Sequence, residues 1–259
     1  MKRFALFLMA VSALAQSGKS LAPWDLTGYW VSIVTEDWRY RMQTAPKYDY
    51  YGFVLKAEAK KVADAWDAEK GPQGEACINF HAPVVMRQPG RLQVSWQNDN
   101  ILKIETDAGK QTRLFYFSTP PVTNDTSMQG VSMASWQTPA AIRNVTNKLS
   151  AQNPITPGFP GINTQNEQPA PPPQKYGALR VSTTRVRAGQ LRSNGIPFSA
   201  GAALTEYYDV HKEKSGDEWL VITTVVEDPM YLEVPFVNST HFRRQKDASG
   251  WDPQPCTVR

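Results

Sequence analysis

"RLQVSWQNDNILKIETDAGKQTRLFYF" (residues 91–117) is the stretch of sequence that decides the fold. Apolar and polar residues alternate at its start, so that Leu92, Val94 and Trp96 fall on one face of a strand. The polar clusters NDN and DAGKQ divide the stretch into three short strands, because Asn, Asp and Gly favour tight turns. This pattern predicts an antiparallel meander.

The same alternation returns in the second half of the chain, after one short helical segment. Residues 55–67 (LKAEAKKVADAWD) carry apolar residues at helical spacing and predict one short amphipathic helix. The later strand-like segments are 178–187, 204–212, 218–228 and 239–245. Short strands at regular spacing with a single helix predict an all-β fold, an antiparallel closed or nearly closed barrel. A two-sheet sandwich is the alternative.

One proline-rich interval, residues 138–175, interrupts this rhythm. Its prolines are incompatible with sheet ladders, and it offers few residues for a core. The segments on either side, 131–137 and 177–184, resemble two strands that a short turn could join. We therefore interpret the interval as an insertion in a hairpin of a single domain spanning residues 16–259. A disordered surface loop and a lid over the barrel mouth are both open.

The first 15 residues have the pattern of a cleavable signal peptide. A basic start is followed by an apolar run and by the small residues Ala13 and Ala15. The run is too short for a membrane anchor, and no later stretch could span a bilayer. We expect a periplasmic or secreted protein. In that compartment the two cysteines, Cys77 and Cys256, are expected to form a disulfide; two unrelated thiols are the alternative.

Composition argues against several classes of function. The formal net charge of +4 falls to about +2 once Lys2 and Arg3 are removed, and no Lys/Arg run marks a nucleic-acid or membrane surface. The three histidines are far apart and match no metal-ligand spacing. Neither a Gly-x-Ser-x-Gly motif nor a phosphate loop is present. We expect no metal, no cofactor and no nucleic-acid partner; the expected partner is a small molecule.

Two further features give the chain a resemblance to known proteins. Gly28-Tyr29-Trp30 heads the first predicted strand, and Arg243 and Arg244 lie on the last. In these residues the chain resembles the lipocalins and the wider calycin barrels. The resemblance implies a barrel in which a late arginine stacks on the tryptophan at the closed end, a cation–π contact.

The chain is also similar to a group of exported bacterial proteins of uncharacterised function. The shared features are an MR-x-P loop at Met86, Arg87 and Pro89, a TDAG-x-QTR hairpin at 106–113, and EDP-x-Y followed by PF at 227–236. This similarity implies a common barrel and an exported location. It implies no particular activity.

Charged residues on otherwise apolar strand faces are the first candidates for a site. Glu206 shares a face with Tyr208, Arg113 shares one with two phenylalanines, and Arg185 extends the face of its own predicted strand. If these faces line the lumen, the charges form either a structural salt bridge or a polar anchor at the bottom of an apolar pocket. Arginine would then hold a carboxylate or phenolate bidentately.

The segment EDWRYRM (36–42) is the second candidate, because it is too charged for a core yet carries aromatic residues. It would suit a flat or sugar-like ligand at the barrel mouth, or it packs on the outer wall. The predicted ligand-binding residues are Trp38, Arg41, Trp96, Arg113, Arg185, Glu206 and Tyr208.

Together these features predict an exported barrel that binds a small, partly apolar molecule in its lumen. The alternative is a cofactor-independent lyase, isomerase or hydrolase that uses Glu206 or Asp228 with Arg113 for acid–base catalysis. A third possibility is a structural protein whose barrel is simply filled by side chains.

Overall fold

The alternating segments close into a nine-stranded barrel in the computed structural model, which describes residues 17–67, 77–138 and 177–256. In chain order the strands are β1 (Gly28–Ile33), β2 (Arg91–Asn98), β3 (Ile101–Thr106), β4 (Ala108–Gly109), β5 (Thr112–Tyr116), β6 (Val131–Gln137), β7 (Ala178–Thr184), β8 (Gly189–Arg192), β9 (Ile196–Phe198), β10 (Ala203–Lys212), β11 (Glu218–Glu227), β12 (Phe236–Gln245) and β13 (Gln254–Pro255). Around the barrel the order is β1-β12-β11-β10-β7-β6-β5-β3-β2. The predicted all-β closed barrel is confirmed.

Two sequence predictions fall largely or wholly outside the described residues. They are the signal peptide at 1–15 and, apart from Thr138, the insertion at 138–175. The strands that flank the insertion pair antiparallel, from Val131 opposite Thr184 to Gln137 opposite Ala178. The two chain ends that lead into the insertion therefore lie side by side in the barrel wall.

The predicted meander of residues 91–117 is present as β2, β3 and β5, joined by antiparallel ladders. The next pairing differs from the expected antiparallel pattern, because β5 and β6 run parallel, with Phe115 opposite Ser132. The connection contains Pro120 and Pro121 and is too long for a hairpin turn. It returns the chain to the end at which β5 began, so the barrel is mixed, although mostly antiparallel.

The described residues contain three α-helices where one short helix was predicted: α1 (Trp38–Met42), α2 (Ala57–Ala65) and α3 (Ala82–Val85). A 3-10 helix also covers Ile78–Phe80. The predicted helix is α2, and it buries Ala59 and Ala63. The two additional helices are single turns without amphipathic periodicity, and α3 starts with a proline in its first turn. In the described part of the chain, no helix is both long and apolar enough to cross a membrane.

The apolar core has two parts. The first fills the barrel, with Trp30, Phe115 and Tyr208 all inaccessible to solvent. The second lies over the end at which β1 finishes and β2 begins, between the barrel and the α2, α3 and β8–β9 segments. One end of the barrel is therefore covered by the chain itself.

The contact between Trp30 and Arg244 closes the barrel at its other end. The guanidinium carbon of Arg244 lies 4.2 Å from the Trp30 ring centroid, and its nitrogens donate to the Asp25 carbonyl at 2.6 Å and pair with Glu218. Gly28 has φ 111°, and a Cβ there would lie 3.1 Å from Arg244 Nη1. The glycine of the Gly-x-Trp stretch leaves space for this arginine, and the tryptophan stacks on its guanidinium.

We expect Arg244→Ala to lower the free energy of unfolding by about 2 kcal/mol, because it removes a cation–π contact and charge-assisted hydrogen bonds. Urea denaturation measures this change. The matched control is Arg243→Ala, which removes the neighbouring exposed arginine and should cost less than about 0.5 kcal/mol. Equal costs for the two variants would contradict a specific role for the Trp30 contact.

A disulfide attaches the end of the described chain to the barrel. Cys77 and Cys256 lie at disulfide distance, as the sequence predicted. Just before Cys256, β13 pairs parallel with β4, with Gln254 opposite Ala108. We call residues 252–256 the C-terminal strap; the disulfide holds this strap against the 3-10 helix and β4.

Candidate functional site

Three of the residues predicted to line the barrel interior do point inward. Glu206 and Tyr208 on β10 and Arg113 on β5 are at most 1% exposed. Along both strands, every second side chain points inward because only one face of the strand is buried. The alternation of apolar and polar residues in the sequence predicted this arrangement.

These three side chains form one hydrogen-bonded cluster. Arg113 donates bidentately to Glu206, from Nη1 to Oε1 at 2.8 Å and from Nη2 to Oε2 at 2.6 Å. Its Nη2 also donates to Thr183 Oγ1 at 3.2 Å, which in turn shares a hydrogen bond with Ser132. The Tyr208 hydroxyl donates to Glu206 Oε1 at 3.3 Å. Both carboxylate oxygens of Glu206 are therefore engaged within the protein.

Burial and the ion pair act on the protonation of this cluster in opposite directions. Burial alone lowers the pKa of Arg113, but the adjacent charge of Glu206 outweighs it and the pKa is raised. Burial, followed by the Glu206 charge, holds the pKa of Tyr208 well above its usual range. Arg113 therefore stays charged and Tyr208 stays neutral at ordinary pH. The cluster is a closed ion pair with little capacity for proton transfer.

Two of the predicted residues do not belong to the barrel interior. Arg185 is exposed, because β7 ends at Thr184 and a φ of 57° at Arg185 turns the chain, so that Val186 is buried in its place. The expectation that Arg185 points into the lumen is wrong. Asp228 is buried, but it accepts hydrogen bonds from Ser199 and from the backbone of Met230, so it holds a turn.

The aromatic candidates lie apart from the central cluster. Trp38 on α1 is 59% exposed. Trp96 is half-buried near the opposite end of the barrel, where its ring centroid lies 5.4 Å from that of Phe117. Arg41 is the one member of the predicted set that lines the cavity described next.

A cavity of about 520 Å³ lies beside the covered end of the barrel. Its wall comes from residues within five segments: 40–44, 79–91, 107–109, 190–193 and 252–255. It therefore includes α1, the loop after α3, β8 and the C-terminal strap. Its size falls within the range of small-molecule pockets, roughly 300–1,000 Å³.

Three arginines with buried side chains line this cavity. Arg41 pairs with Glu36, and its Nε donates to the Arg87 carbonyl at 2.9 Å. Arg87 is 6% exposed and pairs through Nη2 with Asp37, while its Nη1 has no hydrogen-bond partner among the described residues. Arg192, the third, is 5% exposed.

Arg192 is held between two aromatic rings. Its guanidinium carbon lies 3.9 Å from the Tyr40 ring centroid and 4.7 Å from that of Phe53. Its nitrogens donate to the carbonyls of Asp49 at 3.4 Å and Tyr51 at 2.7 Å. These contacts fix the orientation of the guanidinium without a carboxylate at hydrogen-bond distance.

Burial disfavours the charged form of all three guanidiniums, and in Arg87 the neighbouring cations add to this effect. Burial lowers the pKa of Arg87 to about 10, and the charges of Arg192 and Arg41 act in the same direction against Asp37. Burial also lowers the pKa of Arg41 and of Arg192. Burial therefore disfavours the charged form of each of these three arginines.

Sequence reasoning did not single out Arg87 or Arg192 as site residues. Arg87 lies in the MR-x-P loop, which was used only for the similarity to exported bacterial proteins. Arg192 precedes a Ser-Asn-Gly turn and belongs to a segment without strand periodicity. The sequence signal that could have found them is that both arginines lie in short segments without strand or helix periodicity, in a protein with a small net charge.

No protein-family model matches the chain, and neither a curated protein nor a solved structure is significantly similar to it. Fold and site together define a closed-barrel protein with an arginine-lined cavity at one end. In the described residues, no group of three His, Cys, Asp or Glu side chains is placed to hold a metal ion.

Proposed function

We propose that this protein binds a small, partly apolar molecule in the cavity at the covered end of the barrel. The single observation that carries the proposal is the convergence of buried Arg41, Arg87 and Arg192 on a cavity of about 520 Å³. Phe80 and Leu191 supply apolar surface in the same wall. An apolar wall with a few fixed polar groups is the usual form of a small-molecule site.

The cavity is a better candidate than the barrel interior. In the interior, Arg113 donates to both carboxylate oxygens of Glu206, and neither side chain has contact with solvent. An acid–base reaction at Glu206 or Asp228 stays an untested alternative. It is less favoured because the carboxylate of Glu206 is held bidentately and that of Asp228 holds a turn.

We also propose that the protein is exported and that its barrel is related to the calycins. The disulfide between Cys77 and Cys256 supports an oxidising compartment. The stacking of Arg244 on Trp30 supports the relationship.

The experiment is a native mass spectrometry screen of the disulfide-bonded protein against a library of fragment-sized aromatic and aliphatic molecules. We expect one-to-one binding that is abolished by Ser193→Trp, since Ser193 lines the cavity and the larger side chain would fill it. The matched control is Ser215→Trp in the exposed turn between β10 and β11, which should bind normally. A screen without one-to-one binding, or binding that survives Ser193→Trp, would overturn the proposal.

A further inference from the structure

Arg192 is a buried cation without a matching carboxylate. The nearest carboxylate oxygen paired with it, on Asp49, lies 4.0 Å from Nη1, and Nε has no partner among the described residues. Burying a guanidinium normally requires a carboxylate at hydrogen-bond distance, because the desolvation cost is otherwise uncompensated. An anion supplied from outside the protein would complete this arrangement.

Asp37 is the internal anion that partly fills this role. It pairs with Arg87, and its negative charge raises the pKa of both Arg87 and Arg192 against the effect of burial. The Asp37 side chain is itself 32% exposed, and its backbone is in the left-handed region, with φ 50° and ψ 27°. A surface residue with a left-handed backbone thus pairs with buried Arg87 and acts on Arg192 through its charge. Because this side chain is partly exposed, its carboxylate can return to solvent at small cost.

On the basis of the function proposed above, we infer that the bound molecule carries a single carboxylate that binds between Arg87 and Arg192 and takes the place of the Asp37 side chain. Arg41, Arg87 and Arg192 face Glu36, Asp37 and Asp49. When Asp37 turns out to solvent, one negative charge is missing from this set, and a monoanion restores the balance.

The planar shape of a carboxylate also fits the donors that are free. Among the described residues, Arg87 Nη1 and Arg192 Nε have no hydrogen-bond partner, as is also true of Nε of Arg91, and a carboxylate offers two acceptor oxygens. A phosphate monoester carries up to two negative charges near neutral pH and would leave an excess negative charge. The apolar body of the ligand would lie against Phe80, Val84 and Leu191.

The test compares three ligands of similar shape: 1-naphthoate, its neutral analogue 1-naphthamide, and 1-naphthyl phosphate. Isothermal titration calorimetry of the disulfide-bonded protein should show that naphthoate binds about tenfold more tightly than the other two ligands. This is the difference in affinity expected from one charge-assisted hydrogen bond. Asp37→Asn removes the internal competitor and should raise the affinity for naphthoate about tenfold again, with no gain for naphthamide. Asp217→Asn, in the exposed turn between β10 and β11, changes the charge equally and should have no effect.

Arg192→Gln should reduce the affinity for naphthoate by about a hundredfold and leave naphthamide binding nearly unchanged. If this variant does not fold, Asp37→Asn still decides the question, because it alters an exposed side chain. Equal affinities for naphthoate and naphthamide, tighter binding of the phosphate, or weaker naphthoate binding in Asp37→Asn would overturn the inference. If fragments still bind and Ser193→Trp blocks this binding, the proposed function is retained and only the carboxylate inference is wrong. If no fragment binds, both the proposed function and the inference are wrong.

Discussion

Replacing Arg113 by methionine is expected to lower the free energy of unfolding by about 3–5 kcal/mol. The substitution keeps most of the side-chain volume but leaves the Glu206 carboxylate fully buried without its bidentate partner. Tyr208 and Thr183 offer only hydroxyl groups, which cannot compensate the charge. Urea denaturation of the wild type and the variant, followed by tryptophan fluorescence, measures the difference from the shift in midpoint.

The double variant Arg113→Met/Glu206→Gln distinguishes a structural pair from a ligand anchor. If the pair is structural, the two substitutions are strongly non-additive, and the double variant regains a large part of the stability lost in Arg113→Met. Fragment binding in the cavity should then be the same in all folded variants. Loss of binding in the stable double variant would show instead that Arg113 serves a ligand, whereas additive stability costs would contradict a coupled pair.

Removing the disulfide is the second change with a large expected effect. Cys77 and Cys256 are 179 positions apart, so the bond restricts a long loop of the unfolded chain. We expect Cys77→Ser/Cys256→Ser to lower the free energy of unfolding by about 4 kcal/mol. Thermal or urea unfolding of the wild type with and without reductant provides the same comparison without mutation.

The same variant should also lose fragment binding, because the C-terminal strap forms part of the cavity wall. The strap is otherwise held to the barrel by its short pairing with β4. Intact-mass measurement after alkylation checks that the bond forms in the wild type. Unreduced protein with two alkylated thiols, or an unfolding midpoint insensitive to reductant, would contradict this prediction.

The barrel and its inward faces could be predicted because a strand repeats every two residues and needs only local sequence to be recognised. This period was sufficient to place Glu206, Tyr208 and Arg113 inside. It failed at Arg185 because alternation was extended one residue beyond the end of β7, where a left-handed backbone changes the direction of the side chain. The position at which a strand ends cannot be read from its two-residue repeat alone.

The cavity could not be predicted, since no periodic element carries it. Arg87 follows a single-turn helix and Arg192 ends a short hairpin strand, and only the tertiary fold brings both to Asp37. The parallel pairing of β5 with β6 was missed for a related reason. Its connection has the composition of an ordinary loop, and strand direction depends on where that loop ends.

The closure of the barrel by its first and last strands has a consequence for the order of folding. Tyr29 lies opposite Gln245, so the pairing that completes the wall joins segments roughly 200 positions apart. Until β12 has paired, β1 and β11 each present an open edge that can recruit another chain. Contacts at such long separation form slowly. A nascent chain can therefore complete this barrel only after β12 has been synthesised, and the open edges are exposed to self-association until then.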